Sequence, residues 1–191
     1  MRKRIVVSAI LLALVPLLGC GGSHPTYYIS ETVDFSYIER VAVLPFDNLT
    51  LDKSADGVVR HFVINELLVS GIVDVLPPGD VISAMNKLGV GSVSSLSSEQ
   101  IKALGKALKV QGLIFGAVEQ YGMVREGGVS APQVTITMMM AEATEGSIIW
   151  SVTKTAGGAG FLTRHFGAKT DTLSQLTLEV VRDAVRTLAE Y

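Results

Sequence analysis

The stretch VAVLPFDNLT, at positions 41–50, is the part of the sequence that decides the fold. Six apolar residues are closed by a polar group, which is the pattern of a buried strand followed by a loop. Ala55, Val59, Val63 and Leu67 then repeat at helical spacing, so a helix with one face on a core is expected next. We expect three polar residues of this helix to lie nearer water: Arg60, Asn65 and Glu66.

The rest of the chain continues with strands and helices. Ser97, with Gln100 three residues later, predicts a capping box at the start of a helix. The further predicted elements are a strand at 72–76, helices at 81–88 and 101–108, strands at 113–121, 134–143 and 147–155, and a closing helix at 173–188. The order β-α-β-α-α-β-β-β-α predicts an α/β domain with helices packed on a mixed sheet, parallel early and antiparallel late.

The first twenty residues have the pattern of a targeting segment. Three basic residues at positions 2–4 precede an uncharged run at 5–18, and Gly19 precedes the only cysteine, Cys20. The run is too short to cross a hydrocarbon core of about 30 Å comfortably. The segment resembles the bacterial lipobox, which implies cleavage between Gly19 and Cys20 and fatty acylation of Cys20. The alternative is an ordinary secretory signal or membrane anchor, with Cys20 an incidental apolar residue.

This pattern divides the chain into three expected parts: a lipoprotein signal peptide at 1–19, the acylated cysteine with its tether at 20–34, and a periplasmic α/β domain at 35–191. In the tether, Tyr27 and Tyr28 are candidates to dock on the domain or on a partner. Gly21 follows Cys20, whereas the familiar signal for retention in the inner membrane is Asp at that position. The outer membrane is therefore the expected location.

The composition is that of one ordered globular domain, because 48% of the 191 residues are hydrophobic and 18% are charged. The 16 Lys and Arg residues nearly balance the 18 Asp and Glu residues. Since no excess of positive charge is available to bind phosphates, we expect no nucleic-acid partner. A single cysteine makes neither an intrachain disulfide nor a zinc cage.

The sequence offers no convincing catalytic or metal-binding pattern. His24, His61 and His165 are scattered, without the spacing of metal ligands. The glycine-rich stretches at 89–94 and 157–160 lack the full signatures of nucleotide-binding and phosphate-binding loops. We therefore predict a non-enzymatic protein with no cofactor and no metal. The alternative is a periplasmic ligand-binding or enzymatic domain that uses these two stretches.

Several motifs resemble one family of envelope proteins. VAVLPFDNLT at 41–50 and VDVL at 73–76 look like the opening of the curli-secretion lipoprotein family (CsgG-like). Similar relatives are the lipoprotein activators of penicillin-binding proteins and the amino-terminal domain of TolB. GLIFGAVEQY at 112–121 and ATEGSIIW at 143–150 resemble the later strands of that family. The resemblance implies the α/β fold and a role in secretion, transport or peptidoglycan synthesis.

Two segments depart from the membrane hairpins of the curli channel. A membrane strand needs about 9 to 11 residues with apolar side chains at alternate positions. Residues 121–133 and 157–171 instead contain charged residues and glycines, with a proline in the first segment. We therefore expect the periplasmic domain of that family without its pore.

Two long connections, at 121–133 and 161–171, form the predicted interaction surface. Apolar anchors bordered by arginine are typical of protein interfaces. The expected partners are the membrane, through the lipid anchor, and an envelope protein whose identity the sequence does not give. Self-association into a homo-oligomer is an alternative, as is packing of these side chains back onto the core. The candidate residues are Met123, Arg125, Phe161, Leu162, Arg164 and Phe166.

Overall fold

The computed structural model describes residues 27–126, 128–158 and 171–189, which form a six-stranded sheet with helices on both faces. The strands are β1 (Tyr27–Ile29), β2 (Arg40–Asn48), β3 (Asp74–Val75), β4 (Gly112–Glu126), β5 (Val129–Glu142) and β6 (Ile148–Gly157). The helices are α1 (Ala55–Ser70), α2 (Pro78–Lys87), α3 (Ser98–Leu108) and α4 (Leu173–Ala189), and a short 3-10 turn spans Phe35–Tyr37.

The strand order in the sheet is β1-β6-β5-β4-β2-β3. β2 pairs in parallel with β3 and β4, whereas β4, β5 and β6 form an antiparallel meander. β1 joins the edge of the sheet antiparallel to β6. The predicted α/β class and the predicted order of elements from β2 onward are confirmed, together with the change from parallel to antiparallel pairing.

Local sequence signals set the ends of two helices. α1 ends at Gly71, whose φ of 65° is the left-handed conformation that glycine adopts without strain. At the start of α3, the Ser97 hydroxyl accepts a hydrogen bond from the Gln100 N–H at 3.3 Å. The Gln100 side-chain oxygen accepts in turn from the Ser97 N–H at 2.9 Å. The predicted capping box is thus confirmed.

The sheet separates two apolar cores. The first lies under α1 and α4 and includes Trp150, whose indole N–H donates to the Thr187 hydroxyl at 3.0 Å. The second lies under α2 and α3 and includes Leu104 and Leu113. Successive side chains of a strand point to opposite faces, so a sheet that is apolar on both faces requires a layer of helices on each.

Two polar residues of α1 were expected near water but turn inward. Glu66 is buried, and its carboxylate accepts a hydrogen bond from the Arg182 guanidinium at 3.1 Å. Arg60 donates to the Val43 carbonyl at 2.7 Å. The expectation was wrong because α4 packs beside α1 and β2 runs beneath it. These contacts between distant segments are absent from the periodicity of α1 itself.

Two expectations about irregular segments were also wrong. Residues 27–29, expected in a tether without strand structure, form β1 and pair with Trp150, Ser151 and Val152 of β6, so the tether docks on the domain, as one of the two alternatives predicted. Residues 121–133, expected as a long loop, form the outer part of the β4–β5 hairpin. In both cases, hydrogen bonds between backbones stabilise a strand that has no regular apolar alternation.

Candidate interaction surface

The loop between β2 and α1, residues 49–54, is held by side-chain hydrogen bonds. Asn48 Oδ1 accepts from the Thr50 N–H at 3.0 Å and from its hydroxyl at 2.8 Å, while Asn48 Nδ2 donates to the Asp52 carbonyl at 2.7 Å. Asp52 Oδ1 accepts from the Ser54 N–H at 2.8 Å and its hydroxyl at 2.7 Å. Such Asn and Asp side chains replace backbone hydrogen bonds in turns. They hold this loop in a defined conformation.

This loop presents two leucine side chains to solvent. Leu51 is 102% exposed and Leu49 is 69% exposed. The Leu49 N–H donates to the Val118 carbonyl of β4 at 3.0 Å, which ties the loop to the sheet while the side chain stays outside. Burial of a leucine side chain contributes about 1.5–3 kcal/mol. That free energy is not gained here on folding and remains available for association with a partner.

The β4–β5 hairpin places a third exposed apolar side chain beside the loop. Met123 is 64% exposed, and a groove of about 460 Å³ lies between residues 49–52 and residues 119–123. We call Leu49, Leu51 and Met123 the apolar patch. It lies beyond the carboxyl end of β2, in the region where open α/β sheets commonly bind ligands.

Acidic groups border the apolar patch. Asp52 and Glu119 both line the groove. Hydrogen bonds from the Ser54 hydroxyl and N–H lower the pKa of Asp52, so this carboxylate is ionised at neutral pH. Glu119 accepts a hydrogen bond from the Thr137 hydroxyl at 2.6 Å. An apolar centre with a charged rim is the usual anatomy of a protein–protein interface.

The structure describes two of the six residues predicted from the sequence as an interface. Met123 lies opposite Pro132 and Arg125 opposite Ser130 in the β4–β5 hairpin, and both side chains are exposed. Of the two, Met123 lines the groove beside the leucines. The remaining predicted positions lie outside the described residues: Phe161, Leu162, Arg164 and Phe166 of the interface, and Gly19 and Cys20 of the lipid site.

Leu49 and Leu51 are the surface residues that the sequence interpretation missed. Leu49 was read as part of a polar turn, and Leu51 was not considered. A usable signal was present, namely a leucine on each side of Thr50 in a loop that is otherwise polar. Since such a leucine often folds back under its loop, the pattern alone does not establish exposure.

Two glycines of the glycine-rich stretches, Gly89 and Gly157, have structural explanations. Gly89, with φ 67°, lies two residues after the last residue of α2, Lys87. Gly157, with φ 83°, ends β6, and a Cβ atom there would overlap the Pro132 carbonyl oxygen and the Leu176 side chain. Turn geometry and close packing therefore account for these two positions. They lend no support to the ligand-binding or enzymatic alternative.

No group of three His, Cys, Asp or Glu side chains in residues 27–126, 128–158 and 171–189 is placed to hold a metal ion. Over the same ranges, no helix combines the length and apolar character needed to cross a membrane.

The fold is that of a small α/β domain with a mixed sheet. Several solved structures have the same fold. PelC from Paraburkholderia phytofirmans, a dodecamer, superposes with a TM-score of 0.59 at 18% identity, over 86% of this chain and 96% of PelC. Lipoprotein GNA1162 from Neisseria meningitidis gives 0.57 at 16% identity, over 80% of this chain and 99% of its own. CT253 from Chlamydia trachomatis gives 0.55 at 13% identity, over 80% and 96%.

At these identities, the similarities establish a shared fold. No protein-family model matches the sequence, and no curated protein matches it. The predicted fold therefore occurs in a protein identified as a lipoprotein and in one that forms a dodecamer. The specific likeness to curli-secretion lipoproteins stays a prediction from sequence.

Proposed function

We propose that this protein is an outer-membrane lipoprotein that works without catalysis, by binding another protein in the periplasm. In this proposal the chain is cleaved after Gly19 and anchored through a lipid on Cys20. The basic start, the short apolar run and the Gly-Cys pair support the anchor. The fold shared with lipoprotein GNA1162 is consistent with it.

The apolar patch is the observation that carries the binding role. Leu51 is completely exposed on a loop whose conformation is set by hydrogen bonds of the Asn48 and Asp52 side chains. Because the loop is ordered before any partner arrives, association does not have to supply the entropy of ordering it. A prearranged apolar projection with a charged rim is suited to a protein partner rather than to a reaction centre.

The partner is either a different envelope protein or a second copy of this chain. The second is suggested by PelC, which has the same fold and is a dodecamer. The family resemblance supports the first and suggests secretion, transport or peptidoglycan synthesis as the process. Both partners would use the apolar patch, so one experiment addresses both.

Site-specific photo-crosslinking in intact cells tests this binding role. A photoreactive amino acid at Leu51 should give a discrete crosslinked product of larger mass. A product mass that is a whole multiple of the chain mass indicates self-association, and any other mass indicates a different partner. The same probe at Asn65, exposed on α1, is the matched control. Equal products from both positions, or none from Leu51, would contradict the proposal.

The anchor is tested separately by metabolic labelling with an alkynyl fatty acid. Cys20→Ala should abolish labelling, whereas Ser23→Ala should leave it unchanged. Labelling of Cys20→Ala at the level of the unmodified protein would contradict the assignment as a lipoprotein.

A further inference from the structure

β1 limits how far the domain can lie from its anchor. It begins at Tyr27, only seven residues after Cys20. A fully extended chain spans at most about 3.3–3.6 Å per residue, so this link reaches about 25 Å. A domain beginning at Phe35 would have had a link of about 50 Å by the same rule. Because β1 docks on β6, the largest possible distance between the lipid anchor and the start of the domain is about half of what it would otherwise be.

This reach is short compared with the domain itself, because a chain of this length folds to a body about 40 Å across. β1 is the outermost strand on its side of the sheet. We propose that this edge, through Tyr27 and Tyr28, contacts the lipid surface in which Cys20 is anchored. The inference rests on the proposed acylation of Cys20 and adds to it the face that the domain turns to the membrane.

The exposed aromatic residues that the structure describes lie in β1 or in the 3-10 turn that follows it. Among the Phe, Tyr and Trp residues that the structure describes, the exposed ones are Tyr27, Tyr28 and Tyr37. Tyr28 is the most exposed of the three, at 53%. Tyrosine is enriched where bilayer meets water, because its ring is apolar and its hydroxyl is polar. The exposed tyrosines of β1 therefore suit contact with the bilayer surface, to which the short link keeps β1 close.

The pairing register places the two tyrosine rings on opposite faces of the edge strand. Tyr27 is paired with Val152 and Tyr28 with Ser151, and consecutive side chains of a strand alternate in direction. An edge-on approach of the sheet to the bilayer therefore puts one ring on each side of the strand at the level of the headgroups.

The charges that follow β1 disfavour attraction to anionic lipid as the basis of this contact. The exposed charged residues between β1 and the 3-10 turn are Glu31 and Asp34, both acidic. Hydrogen bonds from the Ser36 N–H and hydroxyl lower the pKa of Asp34, which keeps that carboxylate ionised. Since juxtamembrane binding to anionic lipid depends on Lys and Arg, we expect the contact to persist in neutral vesicles and at high salt.

Fluorescence quenching of the acylated protein in vesicles tests the inference. Tyr28→Trp is reconstituted in phosphatidylcholine vesicles with and without brominated acyl chains, which quench indoles in contact with lipid. Leu51→Trp is the matched control, because it places the same reporter at an exposed site in the apolar patch. Trp150 is buried, so the unmodified protein supplies the background. We expect brominated lipid to quench Tyr28→Trp strongly, and to leave Leu51→Trp and the background unchanged.

The outcomes separate this inference from the proposed function. If fatty-acid labelling of Cys20 is present and Tyr28→Trp is not quenched, the membrane contact is overturned while the lipoprotein proposal stands. Quenching of Leu51→Trp, alone or together with Tyr28→Trp, would also overturn the edge-on placement. An unlabelled protein would overturn both proposals. Quenching of Tyr28→Trp alone, retained at high salt, supports the inference.

Discussion

The β1 edge and the β2–α1 loop both expose apolar surface, but they are held in different ways. β1 is three residues long and is positioned by backbone pairing with β6. The loop is positioned by hydrogen bonds of the Asn48 and Asp52 side chains. The edge presents amphipathic tyrosines, whereas the loop presents the aliphatic side chains of Leu49 and Leu51.

This difference indicates two different partners. An aromatic ring with a polar tip tolerates a boundary between water and lipid, and its position there need not be exact. Aliphatic side chains on a loop of defined conformation suit a pocket of matching shape, because the loop already holds them in the positions that the pocket requires. The comparison therefore predicts that the loop depends on its hydrogen bonds for function, and that the edge depends mainly on its rings.

The largest expected effect is the loss of partner binding when the loop leucines are made polar. Leu49→Ser combined with Leu51→Ser should abolish the crosslinked product, here formed from a photoreactive residue at Met123. Because Leu51 is fully exposed and Leu49 largely so, the free energy of unfolding should change by about 0.5 kcal/mol or less.

Leu68→Ser is the matched control for that experiment, since Leu68 is a leucine exposed on α1, outside the apolar patch. It should leave both crosslinking and stability unchanged. A large loss of stability in the loop variant would show that the leucines belong to the folded core, and retention of the crosslink would remove them from the interface.

A smaller effect is expected from the side chain that holds the loop. Asn48→Ala removes hydrogen bonds to Thr50 and to the Asp52 carbonyl and should cost about 1–3 kcal/mol of unfolding free energy. Binding should weaken although both leucines remain, because the loop is no longer prearranged. Chemical denaturation and the crosslink yield measure the two effects. Asn65→Ala should change neither, and unimpaired binding by Asn48→Ala would show that loop order is not needed.

A third effect, of about 1 kcal/mol, concerns the buried carboxylate of Glu142. Burial alone would raise the pKa of Glu142, but hydrogen bonds from the N–H groups of Glu145 and Thr144, each 2.6 Å long, outweigh it and lower the pKa below its ordinary 4.5. The stability from the ionised group is therefore present above pH 4.5 and is lost as the pH falls through the lowered pKa.

Denaturation curves between neutral pH and pH 3 should show this loss in the unmodified protein and a smaller pH dependence in Glu142→Gln. Glu145→Gln, at an exposed neighbour, is the control. Partial desolvation and the neighbouring Glu142 carboxylate raise the pKa of Tyr37, in the 3-10 turn. Loss of the carboxylate is thus expected to loosen the 3-10 turn that follows β1. An identical pH dependence in all three proteins would assign the acid sensitivity to other groups.

Much of the fold was predictable because its signals are local. The apolar run at 41–46, the helical spacing of Ala55 to Leu67 and the Ser97 capping box each specify an element by physical rules that involve neighbouring residues. β1 and the outer hairpin were not predictable in this way. β1 is held by pairing with β6, which is distant in the sequence. The outer hairpin pairs locally, but Gly122 and Pro132 interrupt the apolar alternation that would have indicated strands.

The candidate surface was predictable only in part. Met123 was identified as an apolar residue outside the core pattern, and it is exposed. Its proximity to Leu49 and Leu51 arises from the parallel pairing of β2 with β4, which brings residues more than 70 positions apart to one groove. The burial of Glu66 beside Arg182 has the same origin, a contact 116 positions apart along the chain.

The smallest effect is expected at Tyr28, and it bears directly on the comparison of edge and loop. β1 is held by backbone pairing, and the Tyr28 ring is more than half exposed. Tyr28→Ser should therefore change the unfolding free energy of the lipid-free domain by about 0.5 kcal/mol or less. Ile29→Ala is the matched variant, because Ile29 packs against the core and should lose about 1 kcal/mol or more. If Tyr28→Ser costs as much as Ile29→Ala in denaturant titrations, the ring serves the fold, and its exposure is no argument for contact with lipid.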